Sequence, residues 1–173
     1  ISPSPSKPLI ELKHVSVQYG DKHVFRDFSW QMNWGDHVLV EGPNGCGKST
    51  LLALLDGDNH KAYGQHVVLF GHRRGTGESV WDVKAHFGIV SNELQRQYVS
   101  GWHVLDVICS GFHDTVGLYA DIGATQRAHA KAWMQALGLI AAAENFFSEL
   151  SFGEQRLVLL ARAMVKQPLI LIL

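Results

Sequence analysis

The chain has 173 residues, 46% hydrophobic and 18% charged, enough apolar material for a sizeable buried core and too much for a disordered chain. A net charge of -1 with scattered lysines and arginines excludes the basic footprint of a nucleic-acid binder. Cys46 and Cys109 lack CxxC spacing and fit a reducing compartment, and the ten histidines form no HxxxH or HExxH pair for a metal.

No apolar run approaches the roughly 20 residues that span a bilayer. The sequence therefore predicts a soluble, cytoplasmic protein, peripheral at the inner face of a plasma membrane only through a partner. Residues 1–8, ISPSPSKP, read as a Ser/Pro linker, as if cut from a longer chain.

From Leu9 to Val17 apolar and polar residues alternate, as in an edge strand. Tyr19 to Lys22 is a turn, and Val24 to Trp34 alternates again before the turn at Gly35-Asp36. These segments predict an N-terminal antiparallel sheet. His37 to Val40 is short and apolar and runs into Gly42; a helix over Ser49–Leu55 follows. Strand, glycine-rich loop and helix open a nucleotide-binding α/β unit. Val67–Phe70 and Phe87–Val90 read as further strands, with a polar turn over Arg73–Glu78.

The character turns helical from about Val104 to Val165. Trp133, Ala136, Leu137 and Ile140 recur at helical spacing and predict one core-facing stripe. Ser151–Lys166 is a second helix: Ser151 and Glu154 form a capping box at its start, Lys166 falls in its last turn, and Pro168 follows.

Gly42-Pro43-Asn44-Gly45-Cys46-Gly47-Lys48-Ser49 fits the phosphate-loop pattern G-x-x-x-x-G-K-[ST]. Its glycines let backbone N–H groups turn inward as an anion nest, and the following helix adds its positive end. In this chemistry Lys48 reaches the β- and γ-phosphates, the Ser49 hydroxyl ligates Mg²⁺ and Thr50 lies against the α-phosphate. Cys46 has two readings, a small residue that fits the loop or a thiol activated by the helix N-terminus and lysine. A D-x-x-G pattern at Asp114–Gly117 mimics a GTPase, but no N-K-x-D follows it.

Leu150-Ser151-Phe152-Gly153-Glu154-Gln155 resembles the LSGGQ signature of ABC ATPases, about a hundred residues after the phosphate loop. With Tyr19 upstream and an apolar strand downstream, the resemblance runs from Leu9 to Leu173. Two stretches, Val68–Ser91 and Ser148–Leu173, resemble the second cassette of the tandem-cassette ATP-binding proteins associated with bacterial molybdate transport.

The resemblance implies a P-loop NTPase of the α/β class, with an antiparallel β subdomain, a mostly parallel core sheet and an α-helical subdomain. Residues 9–98 and 167–173 would form the core, and about 99–166 the helical part. It implies ATP and Mg²⁺ as cofactors and a second cassette as partner, in the same chain or another subunit, with a membrane permease beyond it. Tyr19 would stack on adenine and residues 42–50 would hold the phosphates. Lys48 is the catalytic candidate, and Ser151, Gly153 and Gln155 would meet the γ-phosphate of ATP on the opposite cassette. The role would be to power or regulate import; a soluble regulatory protein that couples ATP-driven dimerisation to a non-transport partner is the alternative.

Two departures stand out. Phe152 replaces a small residue of the signature. The family's Mg²⁺-sensing glutamine falls at Asn92, with Gln95 three residues on, and either would serve. Leu169–Leu173 matches the Walker B strand, but the aspartate, glutamate and later switch histidine expected beyond it are absent from these residues. The expectation is therefore a chain truncated at the Walker B strand, which binds ATP without hydrolysing it and leaves an apolar edge prone to association.

Overall fold

A computed structural model describes residues 4–56, 59–98, 101–118 and 120–173. The chain divides into two compact units, Ile1–Lys84 and Ala85–Leu173.

The first unit is built on two long antiparallel strands, β1 (Ile10–Tyr19) and β2 (Lys22–Met32), joined by the tight turn Gly20-Asp21. The helix α1 (Lys48–Asp56) follows the phosphate loop. β3 (His66–Leu69) pairs antiparallel with the free edge of β1, and the short β4 (His72–Arg73) pairs with β3. The sheet order is β2-β1-β3-β4, and α2 (Val80–Lys84) ends the unit.

Alternation along β1 buries Ile10, Leu12, Val15 and Val17. The odd step from Leu12 to Val15 would put the two on opposite faces of a regular strand. A register shift between them restores the face. Two left-handed residues take up the irregularity, His14 at φ 52° and Asp27 at φ 50°. Ser29 Oγ accepts from the His14 N–H at 2.9 Å, and Ser16 Oγ accepts from the Asp27 N–H at 3.0 Å. The loop Arg73–Glu78 is fixed by Glu78, which accepts from the Gly75 N–H at 2.8 Å and pairs with the buried Arg74 guanidinium at 3.3 Å. Burial pushes the Glu78 carboxyl up, but hydrogen bonds from the backbone N–H groups of Glu78, Gly75 and Thr76 and from the Thr76 hydroxyl outweigh it and hold it below the usual range.

The strand expected over His37–Val40 is not formed. These residues carry no regular structure, and Leu39 is 80% exposed. A strand exists only by pairing, and no described strand pairs with this segment.

The second unit packs helices around a short parallel pair. β5 (Phe87–Ile89) pairs with β6 (Ile170–Ile172), so the expected parallel sheet consists of two strands among the described residues. Four helices accompany them: α3 (Asn92–Gln97), α4 (Val104–Ser110), α5 (Ala124–Ala136) and α6 (Phe152–Met164). Their core contains Val104, Val107, Ile108, Met134, Phe147, Val158 and Leu159. Helix α5 ends at Ala136, so the expected stripe shifts by one turn. Ala130 and Met134 are buried with Trp133 and Leu137 beside them, whereas Ala136 and Ile140 are exposed.

The capping box forms as expected: Ser151 Oγ accepts from the Glu154 N–H at 3.3 Å, and Glu154 Oε2 accepts from the Ser151 N–H at 2.8 Å. Arg162, on the same helix, is buried. It donates to the Tyr98 hydroxyl at 3.0 Å, Ser110 Oγ at 3.2 Å and the Thr115 carbonyl at 2.8 Å. Helix α6 stops at Met164, with Val165 as its C-cap, so Lys166 lies past the last turn rather than within it. Its ammonium sits 2.7 Å from both oxygens of Asp114. Burial holds that ammonium below its ordinary range even with the carboxylate alongside.

Candidate functional site

In the first unit the hairpin turn and the phosphate loop share one cavity of about 290 Å³. Tyr19, Lys22 and Val24 line one side of it, and Asn44, Gly45, Gly47, Lys48, Ser49 and Thr50 the other. Gly42, Pro43 and Cys46 belong to the same loop without lining that cavity. The loop geometry is glycine-dependent. Gly45 has φ 82° and Gly47 φ 109°, conformations that side chains rarely adopt. A Cβ on Gly47 would also come within 2.7 Å of Val24 Cγ1 and 3.2 Å of Phe25 Cζ, so strand β2 packs directly on the loop. The Cys46 N–H donates to the Pro43 carbonyl at 3.2 Å and the Leu51 N–H to the Gly47 carbonyl at 2.9 Å, which closes the loop onto the first turn of α1.

The charges fit a phosphate chain. Lys48 Nζ donates to the Gly42 carbonyl and, at 3.1 Å, to the Pro43 carbonyl. Lys22 Nζ reaches the Gly45 carbonyl at 3.4 Å. Both ammonium groups thus rest on weak backbone acceptors, which a phosphate would replace with charge-assisted bonds. None of the residues lining the cavity is acidic. Lys22 was not singled out in the sequence. Its only signal is its place three residues after Tyr19, where a two-residue hairpin turn carries it back beside the loop.

Tyr19 is half-exposed at the end of β1. Its hydroxyl accepts from Asn59 Nδ2 at 2.7 Å, and Lys61 Nζ stands 4.9 Å from its ring centroid. Nothing in the spacing of Asn59 or Lys61 points to this contact.

In the second unit the signature segment forms the N-terminus of α6. Ser151, Phe152 and Gly153 are exposed, Phe152 by 67% of its surface, and a Cβ on Gly153 would meet nothing within 4 Å. Glycine inside a helix costs about 1 kcal/mol relative to alanine. Packing within the chain therefore gives no reason for glycine at that position.

A second cavity, about 560 Å³, lies beside this helix and is lined by Asn92, Gln95, Tyr98, Phe147, Phe152 and Gln155 among others. The Gln155 side chain is committed inside the unit: Nε2 donates to the Phe147 carbonyl at 3.1 Å and Oε1 accepts from Gln95 Nε2 at 2.7 Å. The two candidates for the Mg²⁺-sensing position differ in setting. Gln95 is buried, whereas Asn92 is exposed and its Oδ1 accepts from Arg156 Nη1 at 3.3 Å. Among the described residues there is no cluster of three or more histidine, cysteine or acidic groups that would hold a metal. No described helix is long and apolar enough to cross a membrane.

The ABC transporter family pattern matches residues 25–173. The chain belongs to the ABC transporter ATP-binding family. The cassette is 43% identical over 169 residues to the ABC transporter ATP-binding protein ModF of Escherichia coli K12, an alignment covering 97% of this chain and 34% of ModF. It is 30% identical to YlmA of Bacillus subtilis, an uncharacterised ABC transporter ATP-binding protein, over 95% of this chain and 62% of YlmA. Among solved structures, cbiO1 from Clostridium perfringens, part of the ABC transporter complex cbiONQ, superposes with a TM-score of 0.79 at 18% identity, covering 95% of this chain and 64% of that one. The ADP conformation of the cassette MJ1267 gives a TM-score of 0.76 at 20% identity, over 94% and 66% of the two chains. These two share the fold. The chain spans about a third of the length of ModF. ABC ATPase domains bind ATP, normally with Mg²⁺, and such subunits work in complexes with permeases and other cassettes.

Proposed function

We propose that this cassette binds Mg-ATP in the cavity between Tyr19 and the phosphate loop. The observation that carries the reading is that one cavity brings Tyr19, Lys48, Ser49 and Thr50 together at the N-terminus of α1. The backbone of residues 42–47 would cradle the phosphates, Lys48 would leave its loop carbonyls for the β- and γ-phosphates, and the Ser49 hydroxyl would ligate Mg²⁺. Tyr19 would stack on the base. Bound Mg²⁺ would offset phosphate charge and orient the γ-phosphoryl group. Among the described residues that line the cavity none is acidic, so the lining would hold the nucleotide without supplying a carboxylate to activate water. Binding without turnover is therefore expected of these 173 residues.

The same proposal covers the partner. Exposed Ser151 and Gly153 at this helix N-terminus would offer the Ser151 hydroxyl and the Gly153 N–H to an anion, the Ser151 and Glu154 N–H groups being taken by the capping box. The open space over Gly153 supports approach by the γ-phosphate of ATP held on a second cassette. Mg²⁺ sensing would fall to Asn92 or Gln95. The assembly would act on the cytoplasmic side of a permease, in import of the molybdate type, the role that the sequence resemblance over Val68–Ser91 and Ser148–Leu173 implies.

Calorimetric titration of the chain with Mg-ATP, beside Lys48→Ala, tests the core of this reading. Saturable binding that Lys48→Ala removes is expected. Binding of equal strength in the variant would overturn it.

A further inference from the structure

Tyr19 is held by two residues that neither the phosphate loop nor the signature accounts for. Asn59 is 7% exposed and uses every arm. Its Nδ2 donates to the Tyr19 hydroxyl at 2.7 Å, its Oδ1 accepts from the Lys61 N–H at 3.0 Å, and its own N–H donates to the Ala53 carbonyl of α1 at 3.0 Å. A single buried amide thus ties the tyrosine to the helix whose other end opens the phosphate loop. Lys61 follows in the turn His60–Ala62 and sets its ammonium 4.9 Å from the Tyr19 ring centroid, within cation–π range. The carbonyl of Lys61 is in turn fixed by Gln65 Nε2 at 2.7 Å.

These contacts constrain the ring in two ways. The hydroxyl bond removes rotation about the side-chain torsions. The ammonium occupies one face. Tyr19 nevertheless keeps 46% of its surface exposed and lines the phosphate cavity. One face is then closed and one is open, at a fixed angle to the loop. An aromatic side chain fixed in this way loses little freedom when a base stacks on it, and such preorganisation appears directly in affinity.

We propose that Asn59 and Lys61 are positioning residues that hold Tyr19 as a one-faced stacking platform, so that they set affinity for the nucleotide base and not for its phosphates. The proposal rests on the reading of this cavity as the ATP site. Asn59 acts through the ring angle and Lys61 by closing the face that the base does not use.

The test is calorimetry on the whole chain with two ligands, Mg-ATP and Mg-tripolyphosphate, which carries the phosphates without a base. Asn59→Leu and Tyr19→Phe each break the hydroxyl bond and are expected to weaken ATP by about three- to tenfold, part of the value of one base stack. Tripolyphosphate should stay within about twofold for both, because its contacts lie on the loop. Lys61→Met, at a half-buried position and keeping the apolar stem, should weaken ATP by about two- to fivefold with tripolyphosphate again unmoved. Asn59→Asp should restore ATP binding, since the tyrosine hydroxyl then donates where it had accepted. Equal losses for both ligands would overturn the proposal, as they would mean that Asn59 merely supports the loop. Unchanged ATP affinity in Tyr19→Phe and Lys61→Met would also overturn it. The underlying site assignment fails separately, through ATP binding that survives Lys48→Ala.

Discussion

Gln95 on α3 donates from Nε2 to Gln155 Oε1 on α6 at 2.7 Å, which ties the segment after β5 to the first turn of the signature helix. The bond is one side of a small amide chain, because Gln155 Nε2 continues to the Phe147 carbonyl. Gln95 Oε1 is buried and has no hydrogen-bond partner among the described residues. The two amides are therefore unequal. Gln155→Leu strands the buried Gln95 donor, while the Phe147 carbonyl keeps the Leu150 N–H at 3.3 Å. Gln95→Leu removes one good bond but also an unsatisfied oxygen.

The expected outcome is that Gln155→Leu destabilises the chain by about 1–3 kcal/mol, and Gln95→Leu by less, since an orphaned buried polar group costs more than a removed pair. The double variant should lose less than the sum of the singles. Denaturant unfolding of the four proteins measures this. Strict additivity would show that the two amides act independently.

The phosphate loop gives a second prediction, through packing rather than charge. Gly47 sits at φ 109°, and its missing Cβ leaves room for Val24 and Phe25. Gly47→Ala strains the backbone and pushes β2 from the loop, so ATP binding should fall at least tenfold, more than one factor-of-ten energy step of about 1.4 kcal/mol. Titration with Mg-ATP decides it, and a folded variant with wild-type affinity would show that the loop tolerates the displacement.

Most of this site was legible in the sequence because its chemistry is local. A phosphate loop needs glycines and a lysine within eight positions, and the capping box needs Ser151 and Glu154 three apart, so spacing alone reveals both. What stayed hidden depends on the fold bringing distant residues together. Asn59 meets Tyr19 across 40 positions, and Gln95 meets Gln155 across 60. No periodicity encodes either. The same reason explains the misplaced elements. His37–Val40 has the composition of a strand, but composition does not supply a partner. The α5 stripe was displaced because the pattern continues past Ala136, where the helix stops.

Asp114 carries a third prediction. The D-x-x-G pattern that mimics a GTPase switch is used here for structure: Asp114, at φ 52°, clamps Lys166, whose side chain is 12% exposed. Asp114→Asn keeps the left-handed backbone, which asparagine tolerates, and removes only the charge. Stability should fall by about 1–2 kcal/mol as a partly buried ammonium loses its counter-ion, while Mg-ATP affinity stays unchanged. A loss of nucleotide affinity without a loss of stability would contradict this structural role for Asp114.

Glu154 gives a prediction in pH. The Ser151 backbone N–H and hydroxyl hold its carboxyl below the ordinary value of 4.5. A carboxylate so held binds a proton less readily in the folded chain than in the unfolded one. Its contribution is therefore complete above the unfolded value and fades as pH falls through the folded value. Glu154→Gln keeps an oxygen for the Ser151 N–H, because glutamine also completes a capping box, but it cannot titrate. Wild type should thus be the more stable of the two at pH 7, by an amount that shrinks toward zero or reverses at pH 3. Thermal unfolding of both proteins at the two pH values checks this. A wild-type advantage of the same size at pH 3 would mean that the Glu154 charge has no part in holding the signature helix at its N-terminus.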